Sequence, residues 1–353
     1  MNPRIKKIHG LLKEKKLDAF FVSSAHNISY LTESISRDSF LLVSKDGCVY
    51  FTDSRYTAEA RGVLGRSFKI EKIVDSIFRS LALACKRENL TNIGFEEAHL
   101  SYAAFKKMRK ELPESLRLVP TRDLVETLRQ KKNANELARI KKAVGITVAA
   151  FRYAEKILKP GIRELEVAAE VERFIRYQGA LCAAFDIIVA SGPNSSYPHH
   201  ITSHRKLRNN EPVLIDMGVD YEGYKSDLTR TFFLGRITPL YRRVYAIVLQ
   251  ANQLAIESLK IRARASEIDN VARGFIAGHG FGEFFGHTLG HGVGLEVHEA
   301  PRISGKDSAP LTSGMVFTIE PGIYLPGKFG VRIEDMIFLT EKGVEIPSGS
   351  LDK

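Results

Sequence analysis

The sequence predicts a protein of two domains, an α/β domain over residues 1–125 and an α+β domain over residues 126–353. Its 353 residues exceed the usual size of a single hydrophobic core. Up to about residue 120, short β-rich runs alternate with helix-like stretches, which is typical of an open α/β sheet. After the polar stretch Arg129 to Asn135, amphipathic helices alternate with strand-like runs. This second pattern favours helices packed on a largely antiparallel sheet.

Six strands and two helices are predicted in the first domain. The predicted strands are Asp18 to Val22, Ser39 to Val43, Cys48 to Thr52, Phe68 to Ile73, Asn92 to Phe95 and Leu116 to Val119. Two stretches between them carry apolar residues at three- and four-residue spacing, which indicates helices lying on a sheet. They are Val74 to Arg87 and Tyr102 to Glu111.

Four helices are predicted in the second domain. The first carries Leu137, Ile140, Val144, Val148 and Phe151 on one side. The second runs from about Arg163 to Gln178 and stops at Gly179, the usual left-handed position beyond a helix end.

The third helix begins at Thr238, a good N-cap that is followed by a proline, and continues towards Leu259. The fourth starts at Ser266, with Asp269 as a capping-box variant, and ends near Gly280. The predicted strands of this domain are Phe185 to Ser191, Pro212 to Met217, Asp227 to Leu234, Met315 to Ile319 and Val331 to Leu339.

The composition is that of an ordinary globular protein, with 44% hydrophobic and 26% charged residues. No stretch approaches the roughly 18 consecutive apolar residues of a membrane span, and no signal-peptide pattern follows the basic start. We therefore expect a cytoplasmic protein without a membrane partner. The net charge of +11 permits weak association with nucleic acid. However, mixed-sign runs such as Lys106 to Glu111 indicate solvated faces, so no specific nucleic-acid partner is expected.

Two aspartates stand out in the second domain. Asp216 interrupts the otherwise apolar run Leu214 to Met217, where an unpaired buried carboxylate would cost several kcal/mol. Asp227 follows eleven residues later, and a hairpin turning around Gly223 would bring the two side by side. Two carboxylates held so closely repel unless a cation lies between them, and oxygen ligands suit divalent ions such as Mn²⁺.

Seven of the ten histidines fall between residues 199 and 298, more than surface scatter would produce. Three of them, His287, His291 and His298, lie in a glycine-rich run from Gly286 to Glu299. Glycine lets a backbone approach a ligand closely, so the run predicts a non-helical path on which the imidazoles converge. An exposed loop is the alternative interpretation, but it gains little from so many glycines.

Two glutamates repeat the anomaly of Asp216, because each lies on a β-rich segment with apolar neighbours. Glu320 ends the run Phe317 to Ile319, and Glu334 follows Val331-Arg332-Ile333. Together with the two aspartates and one imidazole, they are sufficient to hold two metal ions about 3.5 to 4 Å apart.

These motifs resemble those of the pita-bread metallopeptidases of the aminopeptidase P and prolidase group. The resemblance covers essentially the whole chain. Thr52-Asp53-Ser54-Arg55-Tyr56 resembles a signature of the creatinase-type N-terminal domain, and Ala190-Ser191-Gly192-Pro193-Asn194 with Pro198-His199 resembles a substrate-side loop. The fold implied is a C-terminal pita-bread catalytic domain after a smaller creatinase-type α/β domain.

The resemblance implies a role for each matching residue. Asp227 and Glu334 would bridge two metal ions, Asp216 would bind one ion, and His291 and Glu320 the other. Glu320 would also relay protons, His298 would stabilise the oxyanion, and His199 and His287 would position the substrate. Arg332 would orient the bridging glutamate or bind a substrate carboxylate. Mn²⁺ is the expected metal, with Co²⁺, Fe²⁺ and Zn²⁺ as alternatives.

The implied substrate is a peptide with proline in second position, cut at the Xaa-Pro bond. We expect an Xaa-Pro aminopeptidase, which releases the N-terminal residue; the alternative is an Xaa-Pro dipeptidase, or prolidase. A more distant alternative is a non-enzymatic pita-bread binding protein, against which the intact ligand set argues. The resemblance also implies a homodimer.

Overall fold

The structure, a computed structural model, describes residues 2–353. These residues form two compact units, one ending at Arg129 and the other running from Gln130 to Lys353. The division falls four residues beyond the boundary near residue 125 that the sequence predicts. None of the helices within residues 2–353 is long and apolar enough to cross a membrane.

The first unit is an open mixed sheet with helices. Its strands are β1 (Ala19–Val22), β2 (Ser39–Ser44), β3 (Gly47–Thr52), β4 (Lys69–Lys72), β5 (Asn92–Glu96) and β6 (Arg117–Thr121), arranged in the order β4-β3-β2-β1-β5-β6. Its helices are α1 (Pro3–Glu14), α2 (Ala25–Thr32), α3 (Thr57–Leu64), α4 (Ile77–Arg87), α5 (Tyr102–Glu111) and α6 (Glu126–Arg129).

All six predicted strands of this unit are confirmed to within two residues at either end. The helix expected from Val74 starts instead at Ile77, because Asp75 has a positive φ and the Ser76 side chain accepts a hydrogen bond from the amide of Phe78 as an N-cap.

The second unit packs four long helices on antiparallel sheets. The helices are α7 (Ala134–Ile157), α8 (Glu164–Tyr177), α9 (Pro239–Glu257) and α10 (Ala265–Gly278). The strands are β7 (Cys182–Ala183), β8 (Ile188–Ser191), β9 (Glu211–Met217), β10 (Val219–Tyr221), β11 (Tyr224–Lys225), β12 (Leu228–Leu234), β13 (Gly290–Gly292), β14 (Glu299–Ile303), β15 (Val316–Ile319), β16 (Gly322–Leu325), β17 (Phe329–Arg332), β18 (Asp335–Thr340) and β19 (Gly343–Glu345).

Every strand pair of the second unit is antiparallel, as the sequence predicts. The sheets run in the orders β12-β9-β8, β11-β10-β7, β14-β13-β15-β18-β19 and β16-β17. The apolar faces of α9 and α10 form one core cluster with residues of β14 to β18, through residues such as Val248, Ile276 and Phe317.

Predictions about three elements of the second unit differ from the structure. The strand predicted from Phe185 to Ser191 begins only at Ile188. The fourth helix begins at Ala265, and the side chain that accepts a hydrogen bond from the amide of Arg264 at its N-terminus belongs to Glu267. Asp269 is instead fully buried and pairs with Arg273 one turn later. The strand predicted from Val331 to Leu339 is two strands, β17 and β18, with Glu334 in the break between them.

Candidate active site

A hairpin brings the two aspartates together. β9 carries Asp216 and continues into β10, and the chain turns at Glu222 and Gly223, which both have positive φ. It returns through β11 and β12, with Met217 opposite Leu228 and Asp216 opposite Thr229. The hairpin predicted around Gly223 is therefore confirmed, and it leaves Asp227 immediately before β12, near the end of β9.

His291 lies at the centre of β13, between β14 and β15. Its Nε2 is 3.4 Å from Asp227 Oδ2 and 3.3 Å from Glu320 Oε1. The preceding glycine makes this approach possible, because a Cβ at Gly290 would come within 1.9 Å of the carbonyl oxygen of Thr318 on β15. The non-helical path expected for this run is confirmed.

The two glutamates stand just outside strand ends. Glu320 follows β15, and its amide donates to the carbonyl oxygen of Leu289. Glu334 lies between β17 and β18, and its Oε2 accepts a 2.7 Å hydrogen bond from Thr229 Oγ1. One ligand-type atom from each of Asp227, His291 and Glu334 lies within 4.8 Å of the others.

The electrostatics of this cluster fit a bound cation. Burial, reinforced by neighbouring carboxylates, raises the pKa of Asp227 and of Glu334 well above the usual range. Burial also raises the pKa of Glu320 to about 8, against the opposing effect of Arg332. Within residues 2–353, Asp216 Oδ1 and Glu334 Oε1 are buried without a hydrogen-bond partner. Unpaired carboxylate oxygens in a site of this charge are what divalent ions coordinate.

The imidazole of His291 is oriented as a metal ligand requires. Its Nδ1 lies 3.2 Å from the carbonyl oxygen of Gly292, which can only accept, so the ring proton belongs on Nδ1. Burial lowers the pKa of His291 to about 4, and the nearby His298 adds to that effect. The neutral ring therefore directs the lone pair of Nε2 at the carboxylates, an arrangement that favours an intervening cation.

Arg332 is almost completely buried, and four groups occupy its guanidinium. Its Nη2 lies 2.5 Å from Asp216 Oδ2, and its Nε donates to Thr229 Oγ1 over 2.9 Å. Its Nη1 donates to Tyr324 Oη over 2.8 Å and to the carbonyl oxygen of Pro198 over 3.2 Å. Of the two roles expected for Arg332, this geometry favours orientation of the ligand carboxylates, through Asp216 directly and through Thr229 to Glu334.

The three other predicted histidines line one cleft of about 2450 Å³ together with the acidic cluster. His287 Nε2 lies 3.0 Å from Tyr324 Oη, and burial lowers the pKa of His287 to about 4. The ring centroid of His298 is 4.1 Å from that of His291, and burial lowers the pKa of His298 despite the opposing charge of Asp216. His199 faces the same cleft.

A buried carboxylate holds the segment that carries His199. Glu164, at the start of α8, accepts hydrogen bonds from the amide and hydroxyl of Ser191 and from the amide and hydroxyl of Ser203. It also pairs with Asn194 and, over 3.0 Å, with His200 Nε2. His200 is therefore a hydrogen-bond partner of Glu164, and Glu164 holds the substrate-side loop in place.

Sequence reasoning missed Tyr324, Thr229 and Glu164. Tyr324 connects Arg332 to His287 by hydrogen bonds, and Thr229 connects Arg332 to Glu334. The antiparallel register that places Thr229 opposite Asp216 is a signal that could have identified it, since the hairpin itself was predicted. Tyr324 and Glu164 carry no such local signal.

Comparison with known proteins agrees with this geometry. Residues 138–341 match the model of metallopeptidase family M24, and residues 4–131 match the creatinase/prolidase N-terminal domain. The chain belongs to metallopeptidase family M24. The expected architecture of a creatinase-type domain followed by a pita-bread domain is thus confirmed, and the chain is a metallopeptidase.

Three similar proteins illustrate the range of this family. An Xaa-Pro dipeptidase of Pyrococcus horikoshii is 35% identical over 97% of this chain and 96% of its own length. The structure of an Xaa-Pro dipeptidase from Bacillus anthracis is 34% identical with a TM-score of 0.95, covering 99% of this chain and 98% of that one. An X-Pro aminopeptidase from Thermotoga maritima is 35% identical with a TM-score of 0.87, covering 94% and 96%.

Proposed function

We propose that this metallopeptidase is an Xaa-Pro dipeptidase that uses two divalent metal ions. The observation that carries the proposal is the cluster of Asp227, His291 and Glu334, which Glu320 and Asp216 adjoin. Two carboxylate oxygens of this group lack a hydrogen-bond partner in residues 2–353. The choice of substrate draws on the dipeptidases similar to this chain. They support a dipeptidase better than the aminopeptidase expected from the sequence.

The side chains of Asp216, Asp227, His291, Glu320 and Glu334 would hold both ions. When bound, the ion pair acts as a Lewis acid that polarises the scissile carbonyl and lowers the pKa of water. Mn²⁺ is our first choice, because four carboxylates and one imidazole form a predominantly oxygen site. A cytoplasmic location also remains a prediction.

The remaining side chains orient the reactants. Glu320 lies at the edge of the cluster and holds or passes a proton through its carboxylate, which Thr318 Oγ1 orients from 3.2 Å. His298 is a neutral imidazole in the cleft and donates a hydrogen bond to the oxyanion that develops on the substrate. His199 and His287 position the peptide from the same cleft.

Arg302 provides a cation for the free carboxylate that a dipeptide presents next to its scissile bond. It lies on β14 directly opposite His291, so its side chain stands on the same face of the sheet as the candidate ligand. It is exposed, lines the cleft, and forms no ion pair with any residue in the range 2–353. An unpaired guanidinium beside the cluster is suited to a carboxylate.

An Xaa-Pro aminopeptidase is the second candidate. The cleft is several times larger than a dipeptide requires, so it also has room for a longer peptide. The similarity to the T. maritima X-Pro aminopeptidase supports this alternative. A purely binding role is disfavoured, because every candidate ligand is present and clustered.

Hydrolysis of a matched pair of peptides, an Xaa-Pro dipeptide and the same dipeptide extended by one residue, tests the proposal. Metal-stripped protein is assayed with and without Mn²⁺. Metal-dependent cleavage of the dipeptide alone is the expected result. Cleavage of both peptides would establish the aminopeptidase, and cleavage of neither would refute both.

Arg302→Gln provides a sharper comparison within the same assay. The variant should lower kcat/KM for the dipeptide by about 10-fold or more, because a charge-assisted hydrogen bond is lost. It should leave the kcat/KM for a dipeptide amide, which lacks the carboxylate, nearly unchanged. Equal losses on both substrates would remove Arg302 from carboxylate recognition.

A further inference from the structure

A buried amide lies behind two of the candidate metal ligands. Asn252 is on the apolar face of α9 and is fully buried. Its Nδ2 donates to the carbonyl oxygen of Ile319 over 3.0 Å and to that of Ile333 over 3.3 Å. These two residues immediately precede Glu320 and Glu334. The Asn252 side chain therefore binds the backbone directly before both glutamates, at the ends of β15 and β17.

A buried guanidinium provides a second connection to the same place. Arg230 on β12 donates from Nη1 to the carbonyl oxygens of Glu334 and Thr229, and from Nη2 to Asp335 Oδ1. Asp335 is fully buried and also accepts a 2.9 Å hydrogen bond from Ser348 Oγ. Hydrogen bonds therefore hold the backbone on the C-terminal side of Glu334 as well as the backbone before it.

Residues 348–353, which follow β19, contact Asn252, Asp335 and Arg230. Lys353 Nζ lies 2.7 Å from Asn252 Oδ1 and 2.6 Å from Asp335 Oδ2, so one ammonium group joins the two buried anchors. Arg230 Nε donates to the carbonyl oxygen of Asp352 over 3.0 Å, and Leu351 is buried. Polar contacts of Ser348, Asp352 and Lys353 and the buried side chain of Leu351 therefore fix this segment behind the two glutamates.

We propose that Lys353 and Asn252 are positioning residues of the metal centre. By cross-linking Asn252 to Asp335, Lys353 holds the two chain segments that present Glu320 and Glu334 at a fixed separation. Ligands held in advance lose less conformational entropy when the ions bind, and removal of an outer partner typically weakens metal binding by about 10- to 100-fold. The inference rests on the proposed metal site but not on the peptide that the site cleaves.

Mn²⁺ titration of metal-stripped protein tests the inference, with free Mn²⁺ followed by electron paramagnetic resonance. Lys353→Met should raise the Kd for Mn²⁺ by about 10-fold. Lys353→Arg, which keeps the charge and the donors, should recover most of that loss. Asn252→Asp keeps the acceptor for Lys353 but loses both donors, so it should weaken Mn²⁺ binding at least as much.

A matched control is Lys342→Met, at an exposed lysine on the turn before β19. It should bind Mn²⁺ as the unaltered protein does. Thermal melting of each metal-free variant separates positioning from stability. If Lys353→Met lowers the melting temperature but leaves the Kd for Mn²⁺ unchanged, the segment is only a structural brace and the inference is overturned. Unaltered protein that binds Mn²⁺ but cleaves no peptide would refute the proposed function alone.

Discussion

Individual titratable groups at the candidate site differ in the direction of their pKa shifts, and this makes the metal-free protein sensitive to pH. Burial raises the pKa of Glu320 to about 8, whereas burial lowers the pKa of His291 to about 4. The pKa values of Asp227 and Glu334 are raised in the same direction as that of Glu320. Without a cation, the folded cluster therefore retains protons that the unfolded chain releases.

The sign of the stability change follows from these shifts. Between about pH 4 and 6.5, the histidine and the carboxyl groups oppose each other. From pH 6.5 to 8 the histidines are largely neutral in both states. Only the carboxyl groups then change the stability, and they bind more protons in the folded state than in the unfolded state. We therefore expect the free energy of unfolding of metal-stripped protein to fall by about 1–2 kcal/mol over this interval. Urea titrations at several pH values measure it, and a flat or rising profile would contradict the raised pKa values.

Two substitutions separate a metal ligand from a residue that acts on the substrate. Glu334→Gln removes a proposed metal ligand and should reduce both metal affinity and turnover by more than about 100-fold. That is more than the loss expected when a residue that only hydrogen-bonds to a ligand is removed. His298→Ala should reduce kcat by about 100-fold, as loss of an oxyanion donor does, with metal content intact. Metal analysis beside the kinetics distinguishes them. Metal loss in the His298 variant would show that His298 is a metal ligand and not a donor to the oxyanion.

Elements could be predicted where a local pattern determines them. The strands of the first unit and the β9–β12 hairpin followed from alternation and turn residues, and the N-cap at Thr238 was also correct. The start of the fourth helix was misplaced because the sequence allows either Ser266 with Asp269 or Glu267 to cap it. In the structure Asp269 is buried in the core, and Glu267 provides the cap. The short strand β13 is formed by pairing with β14 and β15, which follow later in the chain, and a local pattern does not encode that pairing.

The candidate site shows the same division. The acidic and histidine residues were conspicuous because each broke an apolar or glycine-rich run. Thr229, Tyr324 and Asn252 were not, because a hydroxyl or an amide in a strand or helix is common. Their importance depends on which groups lie opposite them in the fold.

Gly290, the residue before His291, lets β13 pack closely on β15. A Cβ at Gly290 would lie 1.9 Å from the carbonyl oxygen of Thr318, so Gly290→Ala must push β13 away from β15. We expect at least a 10-fold loss of Mn²⁺ affinity, on the scale of a displaced ligand. Gly274→Ala in α10 is the control, because a Cβ there meets nothing within 4 Å. If both variants bind Mn²⁺ equally well, close strand packing does not position His291.

At the scale of the whole molecule, the chain carries a net charge of +11, yet its candidate active site is strongly acidic. The excess positive charge therefore lies outside this site. The predicted homodimer is a property of the same scale. Light scattering coupled to size exclusion should give twice the chain mass of 39.5 kDa. A single peak at the monomer mass would contradict it.

The five candidate ligands span Asp216 to Glu334 and lie on or directly beside different strands, so the site exists only after distant parts of the second unit have met. The chain must bring these distant residues together, at a cost in conformational entropy, before the ions can contribute any binding free energy. Mn²⁺ should therefore act after the folding transition state, slowing unfolding without accelerating refolding. In stopped-flow experiments, a chelator should change only the unfolding limb of the chevron.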